Sequence, residues 1–170
     1  HLSKRGAKMM FSVLLPTCNR LEYLKYAVET VRCQDDADWE IIVSDNCSED
    51  NIFGYVQSLA DSRVKYFRME TFVSATENWN NALERSSGDY VIMLGDDDGL
   101  LPGYFSTFKR VFQAFPNPDF VYASAYFYAY PGVIPAFPDG FLQRDRNRVF
   151  LETDPFWLER KRALNITRGY

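Results

Sequence analysis

Histidine is nearly absent from this chain of 170 residues; the single one is His1. A Ser-His-Asp triad and any histidine-based zinc site are therefore excluded within it. Cysteine is sparse as well. Cys18, Cys33 and Cys47 show no Cys-x-x-Cys spacing, so no metal knuckle is expected, and an odd, scattered set reads as reduced thiols of a cytoplasmic protein. No apolar run approaches the ~20 residues that a membrane-spanning helix needs. The polar, basic stretch His1–Lys8 lacks the apolar core of a secretion signal and reads as a tag or frayed end. Clustered positive charge is missing too: the net charge is −4, and the arginines at 144–148 and 160–162 are interspersed with acids, which argues against a nucleic-acid surface. Neither Gly-x-Gly-x-x-Gly nor Gly-x-x-x-x-Gly-Lys-Ser/Thr occurs, so the dinucleotide and P-loop modes of phosphate binding are disfavoured.

What is present is enough apolar material for one substantial core, 46% hydrophobic and 16% aromatic residues, with one domain as the default. Strand and helix signals alternate. Phe11–Leu15, Trp39–Val43, Val64–Arg68 and Tyr90–Leu94 read as strands, the first and last as buried ones. Leu21, Leu24, Ala27, Val28 and Val31 share one helical face, with Thr17 or Asn19 as cap; Ile52, Tyr55, Val56 and Leu59 share another. Ser74 and Glu77 match a capping box, and Tyr104–Phe115 follows Pro102 as a helix. A strand is expected from Phe120. Beyond Pro131 only one helix, Phe156–Ala163, is legible. The alternation predicts an α/β fold, a mostly parallel sheet with helices on both faces.

In such a sheet ligands lie beyond the carboxyl ends of the strands. Thr17 and Asn19 leave the first strand, Asp45 and Asn46 leave the second, and Asp96, Asp97 and Asp98 follow Tyr90–Leu94, so all three polar groups should meet at one edge. Each has a plainer reading. An acidic triplet before Gly99 and Pro102 is often a solvated turn, and Asp45-Asn46 is common turn chemistry. Three consecutive carboxylates repel unless a cation compensates them, and oxygen-only ligands at a strand end suit Mg²⁺ or Mn²⁺ arriving with substrate phosphates. A pocket of this composition suits a nucleotide diphosphate.

Phe11-Ser-Val-Leu-Leu-Pro-Thr-Cys-Asn-Arg20, Ile41-Ile-Val-Ser-Asp-Asn-Cys-Ser48, Glu77-Asn-Trp-Asn-Asn-Ala82 and Gly88-Asp-Tyr-Val-Ile-Met-Leu-Gly-Asp-Asp-Asp98 resemble the family 2 glycosyltransferases of the GT-A fold. The resemblance covers about Phe11 to Phe115. It implies a nucleotide-sugar-binding domain over 10–130, after a tag or disordered 1–9, with 131–170 as the truncated start of an acceptor-side region. It implies a metal-dependent, inverting transfer of sugar from a nucleotide diphosphate donor, often a UDP-sugar, to a glycan, lipid-linked sugar or protein. By position, Pro16, Thr17 and Asn19 would line the nucleotide, Asp45 would contact the base, and Asn78 would lie near the diphosphate or sugar. Asp97 would bind Mn²⁺ or Mg²⁺, Asp96 would touch the ribose or metal, and Asp98 the metal shell or donor sugar. Gly95 stands where many members have a further aspartate, which leaves the division of roles within the triplet open. The general base, taken by this family from its acceptor half, is expected beyond Tyr170, since no motif supports Asp139, Asp145, Glu152 or Asp154.

Two other readings differ in class. A non-catalytic nucleotide-sugar-binding module would share this edge and lack the base. A phosphoacceptor receiver would want acids directly after the first strand, where Pro16-Thr17-Cys18-Asn19 stands. The expected location is cytoplasmic, any membrane association coming through regions outside this chain. The aromatic segment Tyr126–Phe141 is expected to favour self-association.

Overall fold

The structure, a computed structural model, describes residues 9–144 except 116, 117, 119, 122, 124, 125 and 130. The expected helix at Phe156–Ala163 and the acids Asp145, Glu152 and Asp154 lie outside the described residues. Two compact units are present, one ending at Arg110 and one beginning at Val111.

The first unit is built on β1 (Phe11–Thr17) and β2 (Trp39–Asp45), which pair in parallel with Thr17 opposite Asp45. β3 (Val64–Arg68) joins the far side of β2 and β4 (Tyr90–Met93) the far side of β1, both parallel, giving the order β3-β2-β1-β4. The unbroken apolar runs of β1 and β2 are explained by this inner position, because both of their faces are covered. Val13, Leu15, Ile41, Ile42 and Val43 are wholly buried.

Within Tyr90–Leu94, expected to be buried on both faces, Tyr90–Met93 forms the outer strand of this sheet among the described residues. Its burial alternates, with Val91 41% and Met93 67% exposed. An apolar run of this length does not distinguish an inner strand from an outer one.

Among the described residues the helices are α1 (Leu21–Arg32), α2 (Ile52–Ser58), α3 (Ala75–Glu84) and α4 (Tyr104–Ala114), the last beginning in the first unit. Leu14 and Ile42 point to α3, where they pack with Ala82, Trp79 and Phe67. Phe11 points the other way and stacks on Phe105 of α4 at 4.9 Å. α1 lies beside the start of α4, with Thr30 Oγ1 accepting from the Leu100 amide and Gln34 Oε1 from the Tyr104 amide. Right-handed crossovers account for α1 and α2 sharing a face while α3, on the return path from β3 to β4, takes the opposite one.

Helix ends hold one surprise. Ser74 and Glu77 form the expected capping box. At α1, however, neither Thr17 nor Asn19 caps. The cap position is Arg20, without a side-chain cap bond, and the Leu21 amide donates to Asp50 Oδ2 at 3.0 Å from the loop after β2. Asn19 sits in the left-handed region at φ 52, which asparagine tolerates better than most residues. Its amide donates to Ser48 Oγ, and its Oδ1 accepts from the Glu49 amide.

At the amino end of the sheet a buried carboxylate ties three strands together. Glu40 Oε1 accepts from Ser12 Oγ, the Ser87 amide and Ser87 Oγ, and Oε2 pairs with Lys65 of β3. Gly88 donates to Ser12 Oγ at 2.8 Å and fits only because it lacks a Cβ, which would lie 2.8 Å from Ser12 N and 2.9 Å from Met10 O. Burial alone would raise the Glu40 pKa, but the bonds from Lys65, Ser12 and Ser87 together outweigh it and hold the group at about 2, against 4.5 in an open chain.

The second unit contains a hairpin, β5 (Tyr126–Ala129) antiparallel to β6 (Phe141–Arg144). The strand expected from Phe120 therefore begins at Tyr126; Phe120, Val121 and Ala123 are not in a strand. Gly140, at φ +80, lies against Ala129, whose carbonyl oxygen would be 2.5 Å from an added Cβ. Phe127, Val133, Phe137 and Leu142 are exposed.

A carboxylate held low in the folded state stabilises it above the unfolded pKa and ceases to do so as pH falls toward the folded one. Lowering the pH from about 4.5 toward 2 should therefore remove roughly 3 kcal/mol of stability through Glu40. Denaturant unfolding of the wild type and Glu40→Gln, compared at pH 7 and pH 3, should show the variant less stable at pH 7 and the gap narrowing at pH 3. An equal gap at both values would refute this role.

Candidate functional site

The three polar groups expected at one edge do meet there. Thr17, the last residue of β1, turns its hydroxyl toward the loop after β4 and donates to Asp96 Oδ2 at 2.7 Å. The carbonyl of Thr17 accepts from the Asn46 amide at 2.9 Å, which joins the first loop to the second. Pro16, directly before it, is half-buried. Parallel register places these ends together: β1, β2 and β4 all run toward the same side.

Asp45 is fully buried, and its carboxylate is engaged on both oxygens. Oδ1 accepts from the Ser48 amide at 2.9 Å, while Oδ2 accepts from Tyr66 Oη at 2.6 Å and Arg68 Nη1 at 2.8 Å. Tyr66 and Arg68 are two apart on β3 and so face the same way. Burial, and then the bond to Asp45, raise the Tyr66 pKa above its ordinary value. Asn46 grips the next loop at two points, donating to the Val73 carbonyl and accepting from the Val73 amide, both at 2.9 Å. Asn78 lies on the buried face of α3. It accepts from Ser44 Oγ at 2.6 Å and donates to the Ser44 carbonyl at 3.1 Å, while Asn81 donates to Ser44 Oγ.

Within the acidic stretch Asp96 is buried, whereas Asp97 and Asp98 both reach the surface. One side chain spans the first two: Arg20 Nη1 lies 3.1 Å from Asp96 Oδ1, and Nη2 donates to Asp97 Oδ2 at 2.8 Å. Burial raises the Asp96 pKa, opposed by the Thr17 bond and the Arg20 charge. Although Asp98 reaches the surface, partial desolvation and then the Asp97 charge raise its pKa too. An added Cβ at Gly95 would come within 3.1 Å of both Asp97 Oδ1 and Asp98 Oδ2, so glycine leaves these carboxylates room.

Among the described residues no three acids, cysteines or histidines converge as a ready-made metal cage. Two carboxylate oxygens, from Asp96 and Asp97, do converge on one cationic group. Hard oxygen donors of this number fit a Mg²⁺ or Mn²⁺ ion that takes its remaining ligands from water and substrate phosphates. Arg20, Tyr66, Arg68, Ser48 and Asp50 were missed as members of this edge. The i, i+2 spacing of Tyr66 and Arg68 was the one signal available for that pair.

The architecture is that of the GT-A glycosyltransferases. S. aureus TarS, residues 1–349, superposes with TM-score 0.59 at 24% identity in its UDP-GlcNAc complex and 0.56 at 25% in its UDP complex, each over 62% of this chain and 32% of that one. The chain belongs to glycosyl transferase family 2, whose sequence profile matches residues 12–165. It is 43% identical over 102 residues to the GalNAc(5)-diNAcBac-PP-undecaprenol beta-1,3-glucosyltransferase of Campylobacter jejuni, covering 58% of this chain and 33% of that protein. It is 30% identical over 136 residues to the putative colanic acid biosynthesis glycosyl transferase WcaA of Escherichia coli, covering 76% and 49%. The chain thus spans a third to a half of the length of these curated relatives.

Burial separates the two acids in their structural weight. Asp45→Ala should destabilise the protein by roughly 1–3 kcal/mol, because it strands the buried Ser48 amide and the half-buried Tyr66 hydroxyl. Asp97→Ala removes one half-exposed ion pair and should change stability by no more than about 1 kcal/mol. Equal midpoints for the two variants in urea unfolding would contradict this division.

Proposed function

We propose that the first unit is the donor-binding part of a metal-dependent, inverting glycosyltransferase that uses a nucleotide diphosphate sugar, with UDP-sugars the first to try. The observation that carries this reading is the meeting of Thr17, Arg20, Asp45, Asp96 and Asp97 at the carboxyl edge of the parallel sheet, in a chain of family 2. Pro16, Thr17 and Asn19 would flank the nucleotide, and Asp45 would face the base. Arg68, whose side chain is 47% exposed, is the partner of Asp45 able to yield to a nucleobase donor. Asn78 would act from beneath, through Ser44. Asp97 would hold Mn²⁺ or Mg²⁺, with Asp96 and Asp98 completing the contacts to ribose, metal or donor sugar.

A divalent ion bound there supplies Lewis-acid neutralisation of the charge that develops on the leaving diphosphate. Thr17 fixes one oxygen of Asp96 and so orients the other toward the reacting side. The acceptor hydroxyl also needs a general base, which we place outside the donor unit. The C. jejuni relative is named as a beta-1,3-glucosyltransferase of GalNAc(5)-diNAcBac-PP-undecaprenol, and WcaA for colanic acid biosynthesis. By extension the acceptor proposed here is a lipid-linked glycan and the donor sugar glucose. Among the described residues no helix is long and apolar enough to cross a membrane.

Calorimetric titration with UDP in the presence and absence of Mn²⁺ tests the reading. Wild type should bind UDP with Mn²⁺ much more tightly than without, and Asp97→Ala should lose that enhancement while remaining folded. Full metal-dependent affinity in the variant would remove Asp97 from the metal site.

A further inference from the structure

We propose that Arg20 is the resident counter-ion of the Asp96–Asp97 pair and must leave it before a divalent cation can bind, so that cation and nucleotide diphosphate bind cooperatively. The inference rests on the donor-site reading above. Its basis is the placement of the two guanidinium nitrogens, one on Asp96 Oδ1 at 3.1 Å and one on Asp97 Oδ2 at 2.8 Å. These are the two oxygens that converge, since the other oxygen of Asp96 is taken by Thr17. A cation using them would compete with the guanidinium for the same lone pairs and repel it at short range.

Arg20 is well suited to move. Its backbone is fixed at the junction of β1 and α1, but its side chain is 41% exposed, and its guanidinium carbon lies 5.0 Å from the Tyr23 ring centre. Swinging outward, it gives up the two carboxylate contacts and changes its place over the Tyr23 ring, itself an exposed side chain. A diphosphate arriving at the same edge offers a planar guanidinium a bidentate partner equivalent to the one it gives up. The acids are thus neutralised in the empty protein, and cation binding alone carries the cost of evicting an arginine. With the nucleotide present, that cost is offset by the new arginine–phosphate pair. Coupling of this kind is reciprocal: the cation should improve nucleotide affinity by the factor by which the nucleotide improves cation affinity.

A purely structural Arg20, needed to hold the acids in place, makes the opposite prediction for its removal. Free Mn²⁺ can be counted by electron paramagnetic resonance while the chain is titrated with Mn²⁺ alone, then with Mn²⁺ and UDP. Arg20→Ala should bind Mn²⁺ alone about fivefold more tightly than wild type, and the further gain on adding UDP should shrink. Arg20→Gln, which keeps most of the stem and loses the charge, should behave alike and covers the case in which the alanine variant folds poorly. Lys25→Ala removes another positive charge, one paired with Glu22 on α1, and should leave Mn²⁺ affinity unchanged. Unchanged or weaker Mn²⁺ binding in both Arg20 variants overturns the proposal and leaves the donor site standing. An equal gain in Lys25→Ala also overturns it, since the effect would then be one of general charge. Absence of Mn²⁺ binding from wild type and every variant, with and without UDP, overturns the donor-site reading and this proposal together.

Discussion

Parallel pairing of β1 with a strand on each side is the constraint from which the site follows. Three chain segments far apart in sequence must then end on the same side of the sheet, and each leaves its polar residues there. The Thr17–Asp96 bond spans 79 residues of sequence yet joins neighbouring parallel segments, since Thr17 and Asp96 follow the last paired residues of β1 and β4, Leu14 and Met93, at the same interval. Antiparallel pairing at either position would send one of these polar groups to the opposite end.

The two ends of the sheet are built for different tasks. At the amino end, Glu40 is shut away and saturated with donors from β1, β3 and the loop before β4. At the carboxyl end, charge is left accessible, with Asp97 and Asp98 at the surface beside buried Asp96. Buried ionic groups must be satisfied in full, whereas charges at a rim can exchange partners at low cost. The first arrangement favours rigidity and the second favours ligand exchange.

Much of this architecture was legible in the sequence because it depends on local pattern. The apolar runs at Phe11–Leu15 and Trp39–Val43, the helical spacing from Leu24 to Val31 and the Ser74–Glu77 capping box each carry their own signal within a few residues. The meeting of Thr17, Asp45 and Asp96 could be inferred because strand direction follows from the alternation of elements. What escaped were choices made by distant partners. Asp50 satisfies the first amide of α1 in place of Thr17 or Asn19, and Tyr66 and Arg68 occupy the Asp45 carboxylate. Each of these is a contact between loops or strands that no local window contains. The outer position of Tyr90–Met93 escaped for a related reason: four apolar residues read alike whether one face or two is covered.

Gly88 carries the consequences of this layout to the opposite end of the molecule. It sits at the start of β4 in space that a methyl group would share with the backbone of Met10 and Ser12. β4 is only four residues long, about 13 Å, and behaves as a short lever whose far tip bears the acids. A wedge at Gly88 would pry the strand from β1 at its base, and the displacement would reach Asp96 with little to absorb it. Tolerance for error at the chemistry is thus set partly at a glycine that touches none of it, and damage there would imitate the loss of a ligand.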